Sequence, residues 1–383
     1  MPVPPARTGF PVRRTVLRLS VAALAALSLA AVTAPAATST ASAATASTVT
    51  AGRAPAYRTP ARPDNPLAGK WGVYKGPADQ AWAPYVSSTG EEHTLLGKIA
   101  LRPRATWFGA WTSNADIAAK VDKYIANMSG GDPSTLVQMT VFRMKPWEHN
   151  ACTSLPSADE QASYQQWIDN FAGAVGAQYT AIILQPDGPF ALCAPGGSKL
   201  PSQLIGYAAR EFSALPNTAV YIDAGASDWP SNDPEKAAQI LLPAGIQYAR
   251  GFALNSTHYS RTVDNIDFGT RLVGILADHG VPGKHFVINT SSNGYGFTFN
   301  EARGGNRDNA KVCESETERV CVTLGYPPTS NVASSRWRQS ALHRQRATDY
   351  VDAYLWFGRP WLYMQADPFV KSRALAMART TPW

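Results

Sequence analysis

Nothing in this sequence is long and apolar enough to span a membrane, since no apolar run reaches the roughly 18 residues a helical span requires. Charged residues are scarce at 16%, yet 45% of the chain is hydrophobic, so disorder of the whole chain is excluded. No Cys-x-x-Cys and no His-Glu-x-x-His occurs among the four cysteines and six histidines, which removes the common zinc sites. A Gly-x-Ser-x-Gly elbow is missing, and with it a serine esterase of the α/β-hydrolase type. There is no glycine-rich phosphate loop, so no nucleotide or other cofactor is implied. No repeat of 20–50 residues and no low-complexity tract organises the chain into an array.

Acidic residues are absent from the first 63 positions, and that gap locates the net charge of +7. Seven of the 35 basic residues lie there (Arg7, Arg13, Arg14, Arg18, Arg53, Arg58 and Arg62), which leaves 28 of each sign from Asp64 onward. The basic excess therefore sits in an N-terminal tail and gives no reason to expect a nucleic-acid partner, which would need a basic face on the domain. Arg13-Arg14, the apolar stretch from Val21 to Val32 and the small residues Ala41-Ser42-Ala43 read as an export signal over 1–44, of Tat-like or general secretory type. Residues 45–64, rich in Ala, Thr, Pro and Arg, read as a flexible linker. The expected product is a secreted domain over 65–383, monomeric and without stable membrane association once the signal is cleaved. An even cysteine count suits that compartment. Of the three pairings that four cysteines permit, Cys152–Cys193 and Cys313–Cys321 are expected.

Within 65–383, short apolar runs alternate with stretches of helical spacing. The runs are Thr106 to Trp111, Leu136 to Phe142, Thr180 to Leu184, Ala219 to Ile222, Gly251 to Leu254, His285 to Ile288 and Val351 to Trp356. Helices are expected at Ile117 to Met128, Tyr164 to Val175, Leu204 to Leu215, Pro234 to Leu242 and Phe268 to His279. This α/β alternation predicts a parallel sheet with crossover helices. Several runs end in polar residues: Gln185-Pro186-Asp187-Gly188, Asp223-Ala224-Gly225, Asn255-Ser256 and Asn289-Thr290-Ser291. In a parallel barrel those endings meet on one face, where sites are built. Each ending alone is better explained as turn chemistry, but four converging on one face point to a site.

These segments, taken in order, resemble glycoside hydrolase family 6, the bacterial and fungal endoglucanases and cellobiohydrolases. Ala181-Ile182-Ile183-Leu184-Gln185-Pro186-Asp187 is similar to the family's strand ending in Glu-Pro-Asp. Tyr221-Ile222-Asp223-Ala224-Gly225 with Trp229, Ala249-Arg250-Gly251-Phe252-Ala253-Leu254-Asn255, Asn289-Thr290-Ser291-Ser292-Asn293-Gly294 and Val351-Asp352-Ala353-Tyr354-Leu355-Trp356 resemble further family segments. The resemblance implies a distorted, incomplete parallel β/α barrel of about seven strands. It implies hydrolysis of β-1,4-glucosidic bonds with inversion, using two carboxyl groups and no metal.

On that resemblance Asp187 takes the proton donor's place, and partial burial at the Pro-Asp-Gly turn favours its protonated form. Asp223 becomes a supporting aspartate, while Trp107 and Trp229 become sugar platforms. Asn255 and Arg359 are further substrate contacts, Arg359 standing where the family has lysine. Departures from the pattern are several. The aspartate beside the family's cysteine is missing before Cys152, leaving Glu148 or Asn150 as acid-tuning substitutes; Gln185 and Asn289 replace acids. The base falls to Asp367 only with a shift of three residues, and Asp352 is expected at the far end of its strand. Only 27 residues follow Trp356, which implies an open cleft and cutting within chains. The expected partner is a β-glucan, or another extracellular polysaccharide, and the altered positions also fit a glycan-binding relative with lost or changed turnover.

Overall fold

The computed structural model describes residues 65–302 and 307–383, so the expected export signal and linker lie outside the described residues. Seven parallel strands form one sheet in chain order: β1 (Thr106–Gly109), β2 (Val137–Phe142), β3 (Thr180–Leu184), β4 (Thr218–Asp223), β5 (Gly251–Leu254), β6 (His285–Asn289) and β7 (Val351–Leu355). The sheet curls into an incomplete α/β barrel. Among the described residues β1 and β7 form no ladder, and one backbone hydrogen bond crosses the seam, Ala105 N–H to Trp356 O at 3.0 Å.

Helices α1 (Trp82–Ser87) and α2 (Gly90–Ala100) precede β1. The crossovers are made by α3 (Ile117–Ser129), α4 (Glu148–Ala151), α5 (Ala158–Val175), α6 (Leu200–Ser213), α7 (Pro234–Leu241), α8 (Thr262–Asp278) and α9 (Ala341–Tyr350). A hairpin of β8 (Leu362–Tyr363) and β9 (Ala366–Phe369) follows, then α10 (Lys371–Thr380). All five helices expected from spacing form. α5 starts earlier than Tyr164 because Ser157 and Glu160 close a capping box that satisfies its first N–H groups. The end of the first apolar run, Ala110-Trp111, leaves the strand and enters the rim.

The strands are buried on both faces, and side-chain alternation divides the core. Ile182 and Leu184, Val220 and Ile222, Phe252 and Leu254, and Phe286 and Ile288 join the large cluster with the surrounding helices. Their neighbours Ala181, Ala219, Ala253, Val287 and Ala353 join a second cluster on the opposite face, with Ile183, Tyr221 and Leu355. Four alanines in that inner layer fit the small radius of a barrel this narrow, where larger side chains would collide.

At the amino end of the barrel, Asp352 is 2% exposed and accepts hydrogen bonds from Tyr221 Oη at 2.6 Å, Arg250 Nε at 2.8 Å and Arg250 Nη2 at 2.9 Å. His285 Nδ1 lies 3.3 Å from its other face. Burial alone would raise this carboxyl; the bonds from Arg250, His285 and Tyr221 outweigh it and hold Asp352 below the ordinary carboxylate value. The residue is a structural plug at the far end from the polar strand endings. Among the described residues no helix is long and apolar enough to cross a membrane.

Candidate active site

The carboxyl ends of the strands bring Asp187, Asp223, Ser256, Thr257 and Asn289 to one rim, as the sequence pattern requires. Asp187 follows β3 in left-handed conformation, φ +64°, which aspartate tolerates better than most residues. The turn rests directly on the end of β4. A Cβ at Gly188 would lie 2.5 Å from Asp223 O, so only glycine permits that approach. Gly188 and Gly225 each donate a backbone N–H to Asp223 Oδ2 at 3.2 Å, and Ser256 Oγ donates to Oδ1. Asp223 is fully buried, and burial pushes it up to about 7 against the pull of those donors. It fixes the Asp187 turn from beneath.

A chain of hydrogen bonds then ties Asp187 to the opposite wall. Thr257 Oγ1 donates to Asp187 Oδ1 at 2.9 Å, Gln365 Nε2 donates to Thr257 O at 2.9 Å, and Arg359 N–H donates to Gln365 Oε1 at 3.1 Å. Gln185, Asp187, Asn255, Met364 and Gln365 all have positive φ, five of the seven non-glycine residues so placed among those described. Backbone strain is thus gathered at this rim, as it is at sites that must hold a fixed geometry.

The cleft above holds about 650 Å³ and is lined by Asp187, Asp308 and Asp367 among its acids. Trp107, Trp111 and Trp147 supply aromatic surface to the same walls. Trp111 is 51% exposed and lies parallel to Trp147, with centroids 6.3 Å apart and planes 12° apart. Below Asp187, a small pocket of about 40 Å³ is lined by apolar groups including Phe142, Met144 and Phe190. The disulfide Cys152–Cys193 joins α4 to the short helix Gly188–Cys193 and so braces this wall; Cys313–Cys321 closes a loop between β6 and α9.

The other expected site residues divide. Asp367 is exposed on β9 and accepts from Gln80 Nε2 at 3.1 Å. Arg359 reaches the cleft with its guanidinium 4.3 Å from the Trp107 centroid, so it covers one face of the ring expected to carry sugar. Trp107 is only 7% exposed, and its Nε1 donates to Phe357 O at 2.5 Å. Trp229 stands behind the wall, parallel to His258 at 5.1 Å and edge-on to Phe190 at 5.4 Å.

Asn255 was expected to touch substrate and does not reach it. The residue is fully buried; its Nδ2 donates to Asn289 O at 3.0 Å, and its Oδ1 accepts from Ser260 N–H at 3.1 Å and Ser260 Oγ at 3.0 Å. Asn289 returns the bond to Asn255 O at 2.9 Å and accepts from Phe357 and Gly358 N–H groups. The two asparagines latch β5, β6 and the end of β7 together. Asn150 is exposed on α4, and the Glu148 side chain lies outside the described residues. Among the described residues no group of three His, Cys, Asp or Glu could hold a metal ion.

Sequence reasoning missed Thr257, Gln365, Asp308, Trp111 and Trp147. Trp111 was hidden in an apolar run read wholly as strand, and Thr257 lay just past a strand end already marked as polar. Asp308, on a short turn Arg307–Asn309 within a long connection, gave no pattern to find.

Comparison with known proteins agrees with this geometry. A family model, "Glycosyl hydrolases family 6", matches residues 73–358. Endoglucanase A of Cellulomonas fimi is 31% identical over 228 residues, 59% of this chain and 47% of that protein. Endoglucanase 1 of Streptomyces halstedii is 31% identical over 230 residues, 59% of this chain and 70% of that protein. This chain thus spans about half of the Cellulomonas relative. The structure of the endoglucanase Cel6 from Mycobacterium tuberculosis, in complex with methyl-cellobiosyl-4-deoxy-4-thio-β-D-cellobioside, aligns with TM-score 0.65 and 27% identity, over 82% of this chain and 99% of that one. With the matched segment spanning β1 to β7 and the strand-end aspartates on one rim, the chain belongs to glycosyl hydrolase family 6.

Proposed function

We propose that this protein is a secreted endo-acting hydrolase of β-1,4-glucans that works with inversion, with Asp187 as general acid and Asp367 as base. The observation that carries the reading is the cleft itself: Asp187, held by Thr257 and seated on Asp223, faces a space it shares with Asp367 and with aromatic walls. The endoglucanase relatives and the cellobioside-bound neighbour support β-1,4-glucan as the substrate.

Inversion needs an acid on the leaving oxygen and a water activated from the opposite ring face. Asp187 delivers its proton to the glycosidic oxygen as the bond to C1 breaks. Asp367 takes a proton from the water that attacks C1 from the other side, and both carboxyls return to their starting states by exchange with solvent. Trp111 and Trp147 offer flat faces to the C–H arrays of neighbouring pyranose rings.

Purified protein should lower the viscosity of carboxymethylcellulose or mixed-linkage β-glucan solutions quickly, and NMR should detect the α-anomer as first product. Asp187→Asn should remove activity by a factor of about 10³ or more while leaving the melting temperature nearly unchanged, because asparagine also accepts positive φ. Silence of the wild type on soluble β-glucans and cello-oligosaccharides would sink the hydrolase reading. The replaced acids at Gln185 and Asn289 favour a second reading, a glycan binder without turnover. Calorimetric binding of cellohexaose with no cleavage over days would select it.

A further inference from the structure

A second cavity, of about 340 Å³, opens beside the catalytic cleft at the seam between β1 and β7. The two share Trp107, Trp111, Arg359, Ala366 and Asp367 as common walls, so a bound chain can pass from one to the other. Its size falls within the roughly 300–1,000 Å³ of small-ligand sites.

Its charge is unlike that of the cleft. Arg102, Arg104, Lys120 and Arg359 line it, against Asp79 and Asp367. Asp79 is already engaged: Arg104 Nη1 donates to it at 3.0 Å and Arg104 Nη2 closes a bidentate pair. Asp367 accepts from Gln80. Lys120 Nζ donates to a neutral group, Thr112 Oγ1, at 3.1 Å. Among the described residues no ion pair joins Arg102, Lys120 or Arg359 to a carboxylate. The Nε of Arg359 is buried without a hydrogen-bond partner. Burial pushes Arg359 down to about 10 against the favourable charge of Asp367, so the surroundings still disfavour a cation that an arriving anion would favour. From Asp64 onward the chain carries equal numbers of acids and bases, which makes this surplus local.

We propose that this cavity is a subsite for an anionic sugar unit, and that the preferred substrate is a β-1,4-linked glucan carrying carboxylate groups, such as glucuronate units. The proposal rests on the reading of the cleft as a glycan site. A neutral sugar brought here would cover cationic groups with hydroxyls and leave their charge uncompensated. A carboxylate at C6 instead offers two oxygens to guanidinium and ammonium donors, the stronger class of hydrogen bond. The cavity lies at the β1–β7 seam while Asp187 follows β3, and it meets the cleft at Asp367, so the charged unit binds next to the proposed base and selects the chain by its carboxylate.

The test titrates the Asp187→Asn protein, which cannot consume its ligand, with cellohexaose and with C6-oxidised cellohexaose in 50 mM salt. The oxidised oligosaccharide should bind about tenfold more tightly. That advantage should shrink at 500 mM salt, as screening of a partly exposed ion contact requires. Lys120→Glu, a change at an exposed position, should cut the ratio of the two affinities severalfold, and Arg359→Ala should do the same if it folds. Equal or weaker binding of the oxidised ligand overturns the subsite while leaving the glycan cleft in place. No binding of either ligand overturns both.

Discussion

Asp223 sits in an unusual place for a carboxyl, beneath the Asp187 turn and out of reach of solvent. Ser256 and the backbone N–H groups of Gly188, Gly225 and Asp187 favour its ionised form, but burial is the larger influence and carries it to about 7, from 3.8 for a free aspartate. A carboxyl raised in this way contributes stability that is fully present below its unfolded value near 4 and is lost as pH rises through about 7. Melting temperature should therefore decline between pH 4 and 8 in the wild type, and that part of the decline should vanish in Asp223→Asn. The variant should also lose about 1–3 kcal/mol, because an amide N–H₂ must then face either Ser256 Oγ–H or the N–H groups of Gly188 and Gly225. A pH series of thermal melts reads both effects. A flat wild-type profile would show that Asp223 stays ionised.

At the level of elements, the wall around Asp187 is built from short pieces: α4, the helix Gly188–Cys193 and the β8–β9 hairpin. None of them could hold its place alone, since isolated helices of a turn or two are unstable in water. The disulfide Cys152–Cys193, with a sequence separation of 41, holds two of these pieces together. Replacing both cysteines by serine should cost about 3–4 kcal/mol on the loop-entropy scale. It should also raise KM more than it lowers kcat, because the wall loosens while Asp187 keeps its seat on Asp223; denaturant unfolding and steady-state kinetics measure the two separately.

The same division explains what the sequence disclosed. The seven strands were legible because each is buried on both faces and reads as a mostly apolar run, interrupted by Gln138 and Thr140 in β2 and by Asp352 in β7. The crossover helices were legible where their apolar stripe is wide. α9, Ala-Leu-His-Arg-Gln-Arg-Ala-Thr-Asp-Tyr, buries only Ala347 and has no stripe to read. The β8–β9 hairpin turns through Met364 and Gln365, non-glycine residues at positive φ, where turn chemistry would call for glycine or asparagine. Asp187 and Asp223 stood out by their place after apolar strands. Asn255 stood out for the same reason and proved to be a latch, because strand ends need hydrogen-bonded closure as much as they need catalysts.

For the whole molecule, stability and chemistry sit at opposite ends of one barrel. The Asp352 network closes the amino end, with Arg250, His285 and Tyr221 drawn from β4 to β6 and their approaches. Its carboxyl is held low, so its contribution is present above the unfolded value and is lost as pH falls through the lower folded one. Asp352→Ala should destabilise the fold by about 3 kcal/mol, since Arg250 would lose its partner. Below the melting transition, kcat should stay as in the wild type. A large fall in kcat for folded protein would contradict the separation of the two ends.

The seam between β1 and β7 carries a consequence for how such a barrel changes over time. Beside the Ala105–Trp356 backbone bond and the Trp107–Phe357 bond across it, closure is reinforced by α2 and α10, which pack together through Leu95, Leu96 and Ile99 against Ala374, Met377 and Ala378. Lys98 Nζ donates to Ala378 O at 2.9 Å, and Arg379 pairs with Glu91 at 3.0 Å across the same contact. That clasp lies outside the sheet. Substitutions in these two peripheral helices can therefore alter how the seam closes while leaving the strand-end residues and the turn that holds Asp187 in place.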